Sequence, residues 1–313
     1  MKVFLTRSFP GEAMDKLKAE FEVDINQGWL PLPKEDLIAR IKDVDILVTY
    51  NDPIDKEIID AAPKLKLIVD HWGGWRIDKE YAKERNIKIV GMPDNYGWII
   101  KGVADIVIGM MIAVGRRFME CGEFIREGRF THSEQSNHLL LGEGLDGRTL
   151  GILGAGRIGR AVAKRAAAFD MNLIYYDIKK NEEIEKYGAV YTEKDTFFRV
   201  SDYITVHLSD LDENRHFIGE KEFDMMKESA YIINTARGRL IDEKAMVDAL
   251  EKKKIAGAAL EVYEFEPKVS EELLTMKNVL LLPHIGGALY KERASNFTRM
   301  VEACISFLKE VAG

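Results

Sequence analysis

The chain has 313 residues, 46% apolar and 31% charged, with 45 basic against 52 acidic side chains and a net charge of −7; the length suits two domains of ordinary globular composition. No Lys/Arg cluster is interleaved with aromatics, which argues against a nucleic-acid partner, and no uninterrupted apolar run approaches membrane-spanning length. Met1-Lys-Val-Phe-Leu-Thr-Arg breaks its apolar run too early for a signal peptide, and Cys121 and Cys304, far apart and without metal-ligand neighbours, point to a reducing, cytoplasmic setting with no metal site.

Residues 1–98 alternate strand and helix. The expected order is strand Lys2–Thr6, helices Gly11–Phe21 and Lys34–Ile41, strand Ile46–Tyr50, helix Asp55–Ala61, strand Leu65–Val69, a helix near Lys79–Arg85 and strand Ile87–Val90. Short apolar strands between amphipathic helices predict a parallel sheet covered on both faces. The first turn, Ser8-Phe9-Pro10-Gly11, lacks a phosphate-type glycine loop, so this unit is not a second nucleotide domain. Asp70-His-Trp-Gly-Gly-Trp-Arg76 follows a strand and falls at a carboxyl end, where open sheets bind ligands.

From Ile100 to about Ile125 the sequence predicts one long helix, rich in Val, Ile, Met and Ala, suited to pack against both domains or a second subunit. Thr131–His138 is polar and reads as a loop. The stretch from Thr149 to Arg165 then carries an apolar strand (Leu150–Leu153), glycines at 154, 156 and 159, and an alanine-rich helix over Arg160–Ala168; a second strand, from Asn172, ends on Asp177. Gly154 allows a sharp turn out of the strand, Gly156 leaves the backbone open to a pyrophosphate, and Gly159 lets helix and strand approach. The amides of Arg157 and Ile158 open the helix toward a bound anion. Asp177 lies 23 residues beyond Gly154, where a carboxylate accepts from an adenosine ribose and repels a 2′-phosphate. The reading is a dinucleotide site for NAD, with NADP less favoured; Lys179 and Lys180 soften that preference.

Further strands are expected near Ala189–Tyr191, Tyr203–His207, Tyr231–Asn234, Gly257–Val262 and Val279–Leu282, giving about seven in this domain, with helices including Glu220–Met226 and Glu243–Lys252. A last helix, Lys291–Val311, folds back onto the first domain. Arg237, Glu266 and His284 follow the last three strands, so a parallel sheet carries them to the edge that bears the glycine turn. Singly, each has a structural explanation: a solvated cation, an acid in an acidic loop, a hydrogen-bonded histidine. Together they suit hydride transfer to a 2-oxo acid. Arginine grips the carboxylate and polarises the carbonyl, imidazolium donates a proton, and the carboxylate orients the imidazole.

Those segments, with Asn234-Thr-Ala-Arg-Gly-Arg-Leu-Ile-Asp-Glu, Glu264-Phe-Glu-Pro and Leu282-Pro-His-Ile-Gly-Gly, resemble the D-isomer-specific 2-hydroxyacid dehydrogenase family over nearly the whole chain. The resemblance implies an α/β protein of two doubly wound parallel-sheet domains. A Rossmann NAD-binding domain, residues 99–288, is inserted into a smaller flavodoxin-like substrate domain, residues 1–98 with 289–313. It implies catalytic roles for Arg237, Glu266 and His284. It implies cofactor contacts from Gly154, Gly156, Arg157, Ile158, Gly159, Asp177, His207, Thr235, Ala236, Glu261 and Gly286. A substrate loop, a pair of residues whose amides hold the substrate carboxylate, falls on Trp72 and Gly73, beside Gly74, and a homodimer is expected through the long helix.

The chain departs from that pattern in four places. Glu261 replaces the usual Asp; Trp75-Arg76 replaces Asp-Asn; about three extra residues enter within Tyr96–Lys101; and His207-Leu-Ser209 replaces His-x-Pro. Trp72, Trp75, Arg76, Trp98 and Lys101 suggest a reshaped pocket for a 2-oxo acid larger than glyoxylate, with a second anionic or ring group. Two other functions of the same fold compete: an NADH-sensing corepressor-like binding protein and a phosphite dehydrogenase. Formate oxidation is disfavoured, because enzymes of this architecture that use formate carry Gln where this chain has Glu266.

Overall fold

The computed structural model describes residues 1–28, 30–92 and 97–312. They form two units, one from residues 1–96 with 288–313 and the other from residues 97–287; each is a parallel sheet with helices on its faces.

The first unit has strands β1 (Lys2–Leu5), β2 (Glu22–Ile25), β3 (Ile46–Thr49), β4 (Leu67–Asp70) and β5 (Lys88–Gly91) in the order β2-β1-β3-β4-β5. That is the flavodoxin-like order. The central β3 and β4 are buried on both faces, in keeping with their apolar runs Ile46–Val48 and Leu67–Val69. The edge strand β2 was absent from the predicted elements because Glu-Val-Asp-Ile is half exposed and lacks an apolar run. The final helix, Tyr290–Ala312, lays Phe297, Met300, Val301, Cys304 and Phe307 on Val3, Leu5 and Leu17 of this unit. Phe297 stacks on Phe9 with centroids 4.7 Å apart.

The second unit has seven strands: β6 (Thr149–Leu153), β7 (Asn172–Tyr176), β8 (Val190–Tyr191), β9 (Tyr203–Val206), β10 (Tyr231–Asn234), β11 (Gly257–Leu260) and β12 (Val279–Leu281). Their order, β12-β11-β10-β9-β6-β7-β8, reverses direction at β6, so the glycine turn that leaves β6 opens at the topological switch point.

Three expectations need correction. The helix predicted as continuous from Ile100 to about Ile125 is two, Gly97–Gly115 and Phe118–Arg126, broken at Arg117 in the left-handed region at φ +53°. Gly115 is wedged against Tyr203, where a Cβ would lie 2.3 Å from the phenol oxygen, and its carbonyl accepts from the Glu143 amide. The polar stretch 131–138 is mostly a helix, Ser133–Leu139, which buries none of its residues and so carries no apolar periodicity to reveal it. Third, Gly97–Gly115 is long and apolar enough by composition to cross a membrane. Nine of its residues are buried, including Val103, Ala104, Val107 and Met111, which join Val162, Ala163 and Ile233 in the core of the second unit. Its apolarity is that of a core helix.

Candidate active site

The glycine turn has the shape its sequence demands. Gly154 has φ +100°, and a Cβ there would lie 2.7 Å from the His207 carbonyl. A Cβ at Gly159 would meet the Gly154 carbonyl oxygen at 2.1 Å, so helix and turn touch backbone to backbone. A Cβ at Gly156 would meet nothing within 4 Å. Gly156 is the N-cap of the helix Arg157–Ala166, which begins three residues earlier than predicted, and it has no side chain to offer the first amides. Open space at a helix N-terminus bounded by Gly156 and Ile158 fits a pyrophosphate.

Asp177 follows β7 beside this turn. Its carboxylate accepts from the Ala155 amide at 2.7 Å and from the Ile178 amide at 2.7 Å. It therefore braces the turn, and both oxygens keep lone pairs for a ribose. Asn181, not singled out in the sequence, donates to the Ala155 carbonyl at 2.9 Å and holds the same turn from the other side.

Across the switch point, the carboxyl ends of β9, β10 and β11 present buried polar atoms that have no protein partner among the described residues. They are both ring nitrogens of His207, the Thr235 hydroxyl and Glu261 Oε1. Burial holds the His207 ring neutral, with its pKa pulled down to about 3. Burial also pushes the Glu261 carboxyl up, against the opposing pull of the Ile285 and Gly286 amides bonded to it. Gly286 leaves no room for a side chain: a Cβ would meet Glu261 Oε2 at 2.7 Å and Val103 at 2.9 Å. Unpaired buried donors and acceptors are costly, and this set has the mixed character that a carboxamide ring with its ribose would satisfy. The residues present fit a nicotinamide dinucleotide.

His284 and Glu266 are brought together, with His284 Nδ1 at 2.8 Å from Glu266 Oε1. Both side chains are part-exposed, at 45% and 39%. His284 is left-handed, φ +55°, and its amide is bonded to the Glu261 carbonyl. A non-glycine residue in that region is a local strain of the kind found at functional sites.

Arg237 follows β10, next to β11 in the sheet, and its guanidinium turns to Asp210, with Nε 3.8 Å from Oδ2, and to the Ala236 carbonyl at 2.6 Å. Its partners among the described residues do not include Glu266 or His284. Asn234, a motif residue with no expected role, shapes this turn. It donates to the Arg237 carbonyl at 2.9 Å and accepts from the Ala236 amide at 3.0 Å. An Asn closing a strand is the available signal for such a turn.

The predicted substrate loop lies in the first unit. Gly73 and Gly74 both have positive φ, +95° and +72°. The Trp72 amide is bonded to Asp70 Oδ2, so of the two loop amides assigned to a substrate carboxylate, one is already taken. Trp75 is exposed, and Arg76 donates to the Asn51 carbonyl at 3.3 Å. Lys101 belongs to the second unit, where its carbonyl accepts from Arg165. Of the extra residues over Tyr96–Lys101, Tyr96 lies outside the described residues.

Residues 108–286 match the family described as D-isomer specific 2-hydroxyacid dehydrogenase, NAD binding domain. Over its length the chain is 40% identical to a glyoxylate reductase from Thermococcus litoralis, covering 98% of this chain and 94% of that protein. It is similar in structure to the TT0316 protein from Thermus thermophilus, at a TM-score of 0.82 with 34% identity, covering 99% and 97% of the two chains. It is also similar to a D-lactate dehydrogenase from Aquifex aeolicus complexed with NAD and lactic acid, at a TM-score of 0.68 with 26% identity, covering 100% and 95%. With a glycine turn built for a dinucleotide and an imidazole–carboxylate pair on the same sheet edge, the chain belongs to the D-isomer-specific 2-hydroxyacid dehydrogenases and is an NAD-dependent oxidoreductase of that family.

Proposed function

We propose that the chain interconverts a 2-oxo acid and its D-2-hydroxy acid, with His284 as proton donor and acceptor, Glu266 as its support and Arg237 as the holder of the substrate carboxylate and carbonyl. The pairing of His284 Nδ1 with Glu266 at 2.8 Å carries this reading. It fixes the ring and leaves Nε2 as the atom that gives a proton to the carbonyl oxygen in reduction and takes it from the hydroxyl in oxidation. NAD(H), when bound, supplies or accepts the hydride. The forked guanidinium of Arg237 makes paired contacts with a carboxylate, and those contacts displace its long, 3.8 Å approach to Asp210. Gly154, Gly156, Arg157, Ile158, Gly159 and Asp177 hold the pyrophosphate and adenosine ribose. His207, Thr235, Ala236, Glu261 and Gly286 take the nicotinamide half. Asp177, doubly anchored by amides, favours NAD over NADP by repelling a 2′-phosphate.

The substrate is a 2-oxo acid larger than glyoxylate. The first unit supports this with a cavity of about 370 Å³ lined by Arg7, Phe9, Tyr50, Tyr290 and Arg293, walls that suit an apolar or aromatic stem and a polar end. The chain works as a homodimer in the cytoplasm. Phe118, Ile125, Phe130, Leu139 and Leu141 are exposed around the two helices that follow Gly115, an apolar patch of the kind a second copy covers. The deciding experiment follows NADH oxidation at 340 nm against glyoxylate, pyruvate, phenylpyruvate, hydroxypyruvate and 2-oxoglutarate. Turnover of at least one with D-product stereochemistry is expected; NADH binding without turnover of any 2-oxo acid refutes the reading.

A further inference from the structure

Asp70 closes β4 and is buried, at 2% exposure, with no lysine or arginine paired to it among the described residues. Its carboxylate is bonded by four donors. Oδ1 accepts from the Thr49 hydroxyl at 2.6 Å and the Asn51 amide at 3.2 Å. Oδ2 accepts from the Trp72 amide at 2.8 Å and the Gly74 amide at 2.7 Å. One oxygen therefore fixes the end of β3 and the other fixes the loop that leaves β4. The two loop amides it binds flank Gly73, whose own amide is taken by no acceptor among the described residues. Behind the loop there is no slack, because a Cβ at Gly91 would lie 2.4 Å from Gly73 Cα.

We propose that Asp70 is the positioning residue of substrate recognition: it templates the 72–74 loop so that the Gly73 amide alone meets the carboxylate of a 2-oxo acid. This rests on the reading that the loop binds that carboxylate. All four ligands of Asp70 are donors, so only a group with two accepting oxygens satisfies them. An amide in its place sets an NH₂ against two N–H groups, leaving donors buried without acceptors. Asp70 does not touch the substrate; it decides which amide does.

The test measures KM and kcat for whichever of glyoxylate, pyruvate, phenylpyruvate, hydroxypyruvate and 2-oxoglutarate the wild type reduces fastest, and the Kd for NADH, in Asp70→Asn, Thr49→Val and Gly73→Ala, each checked by its melting temperature. Asp70→Asn is expected to raise KM by about tenfold or more, with kcat within about threefold, since the loss falls on ground-state positioning. Its NADH Kd should stay at the wild-type value, because the dinucleotide residues belong to the second unit. Thr49→Val, which removes one of the four donors and keeps its shape, should raise KM by about two- to fivefold and decides the matter if Asp70→Asn does not fold. The proposal is overturned if Gly73→Ala raises KM while the folded Asp70→Asn and Thr49→Val enzymes keep the wild-type KM. If none of the three moves KM, the loop does not hold the substrate, and the reading beneath the proposal fails with it.

Discussion

Gly156 and Gly159 occupy one turn, and substituting each with alanine should separate the two things that turn does. At Gly159 a Cβ would sit 2.1 Å from the Gly154 carbonyl oxygen. The helix has to retreat by about 1 Å to restore contact distance, and such overpacking costs about 1–3 kcal/mol. Gly159→Ala should therefore melt several degrees below wild type in the absence of any ligand. At Gly156 the methyl enters open space, with φ −69° that alanine adopts freely. Fold stability should change by about 1 kcal/mol at most, through the altered N-cap. The same methyl stands where the pyrophosphate approaches the helix amides. Losing one charge-assisted bond costs about 1.5–3 kcal/mol, which at 1.4 kcal/mol per decade is about 10- to 100-fold in the Kd for NADH. The pair is read by ligand-free thermal melts and by titration of NADH fluorescence. If Gly156→Ala binds NADH within twofold of wild type, the pyrophosphate does not sit at this helix.

His284→Asn should lower kcat by about 10²- to 10⁴-fold in steady-state NADH oxidation; an equal loss of NADH affinity would mark the histidine as structural. Asp177→Ala should narrow the preference for NAD over NADP, measured as the ratio of kcat/KM for the two. It should also destabilise the turn by freeing the buried Ala155 amide, so an unchanged ratio would remove Asp177 from the ribose. His71 is buried among Phe9, Tyr50 and Trp72, and burial together with the nearby Arg293 charge pulls its pKa down to about 4. Its neutral form is the folded one, so it leaves stability intact above the ordinary histidine value of 6.5 and erodes it as pH falls from there toward 4. His71→Phe should flatten that part of a melting-temperature profile against pH; an unaltered slope would mean that the ring charges without cost.

The elements with strong local signals were legible. Gly154, Gly156 and Gly159 announce their turn because each glycine answers a separate demand; those of Gly154 and Gly159 appear in the structure as close backbone approaches, and Gly156 borders open space at the helix N-terminus. Strands such as Ile46–Thr49 and Leu67–Asp70 were legible because burial on both faces favours apolar runs such as Ile46–Val48 and Leu67–Val69. Elements held by contacts remote in sequence were not. The break at Arg117 comes just after Gly115, which packs on Tyr203 some ninety residues onward, and helical periodicity runs through it without a mark. The helix Ser133–Leu139 buries nothing, so the pattern that identifies helices is missing. At the site, His284 and Glu266 were legible as a pair by motif, whereas the turn of Arg237 toward Asp210 and the four donors on Asp70 depend on side-chain directions that sequence does not encode locally.

The distribution of satisfied and unsatisfied polar groups separates the two halves of the dinucleotide site. On the β7 side the protein answers its own groups: Asp177 accepts from Ala155 and Ile178, and Asn181 donates to the Ala155 carbonyl. On the β9–β11 side His207, Thr235 and Glu261 keep buried atoms without partners among the described residues, and such groups are costly to leave unpaired. The turn assigned to the adenosine half is thus preformed, while the edge assigned to the reacting ring leaves buried polar atoms open to a ligand that offers both donors and acceptors. Polar atoms of this mixed character at three successive strand ends suit the recognition of a carboxamide ring with its ribose.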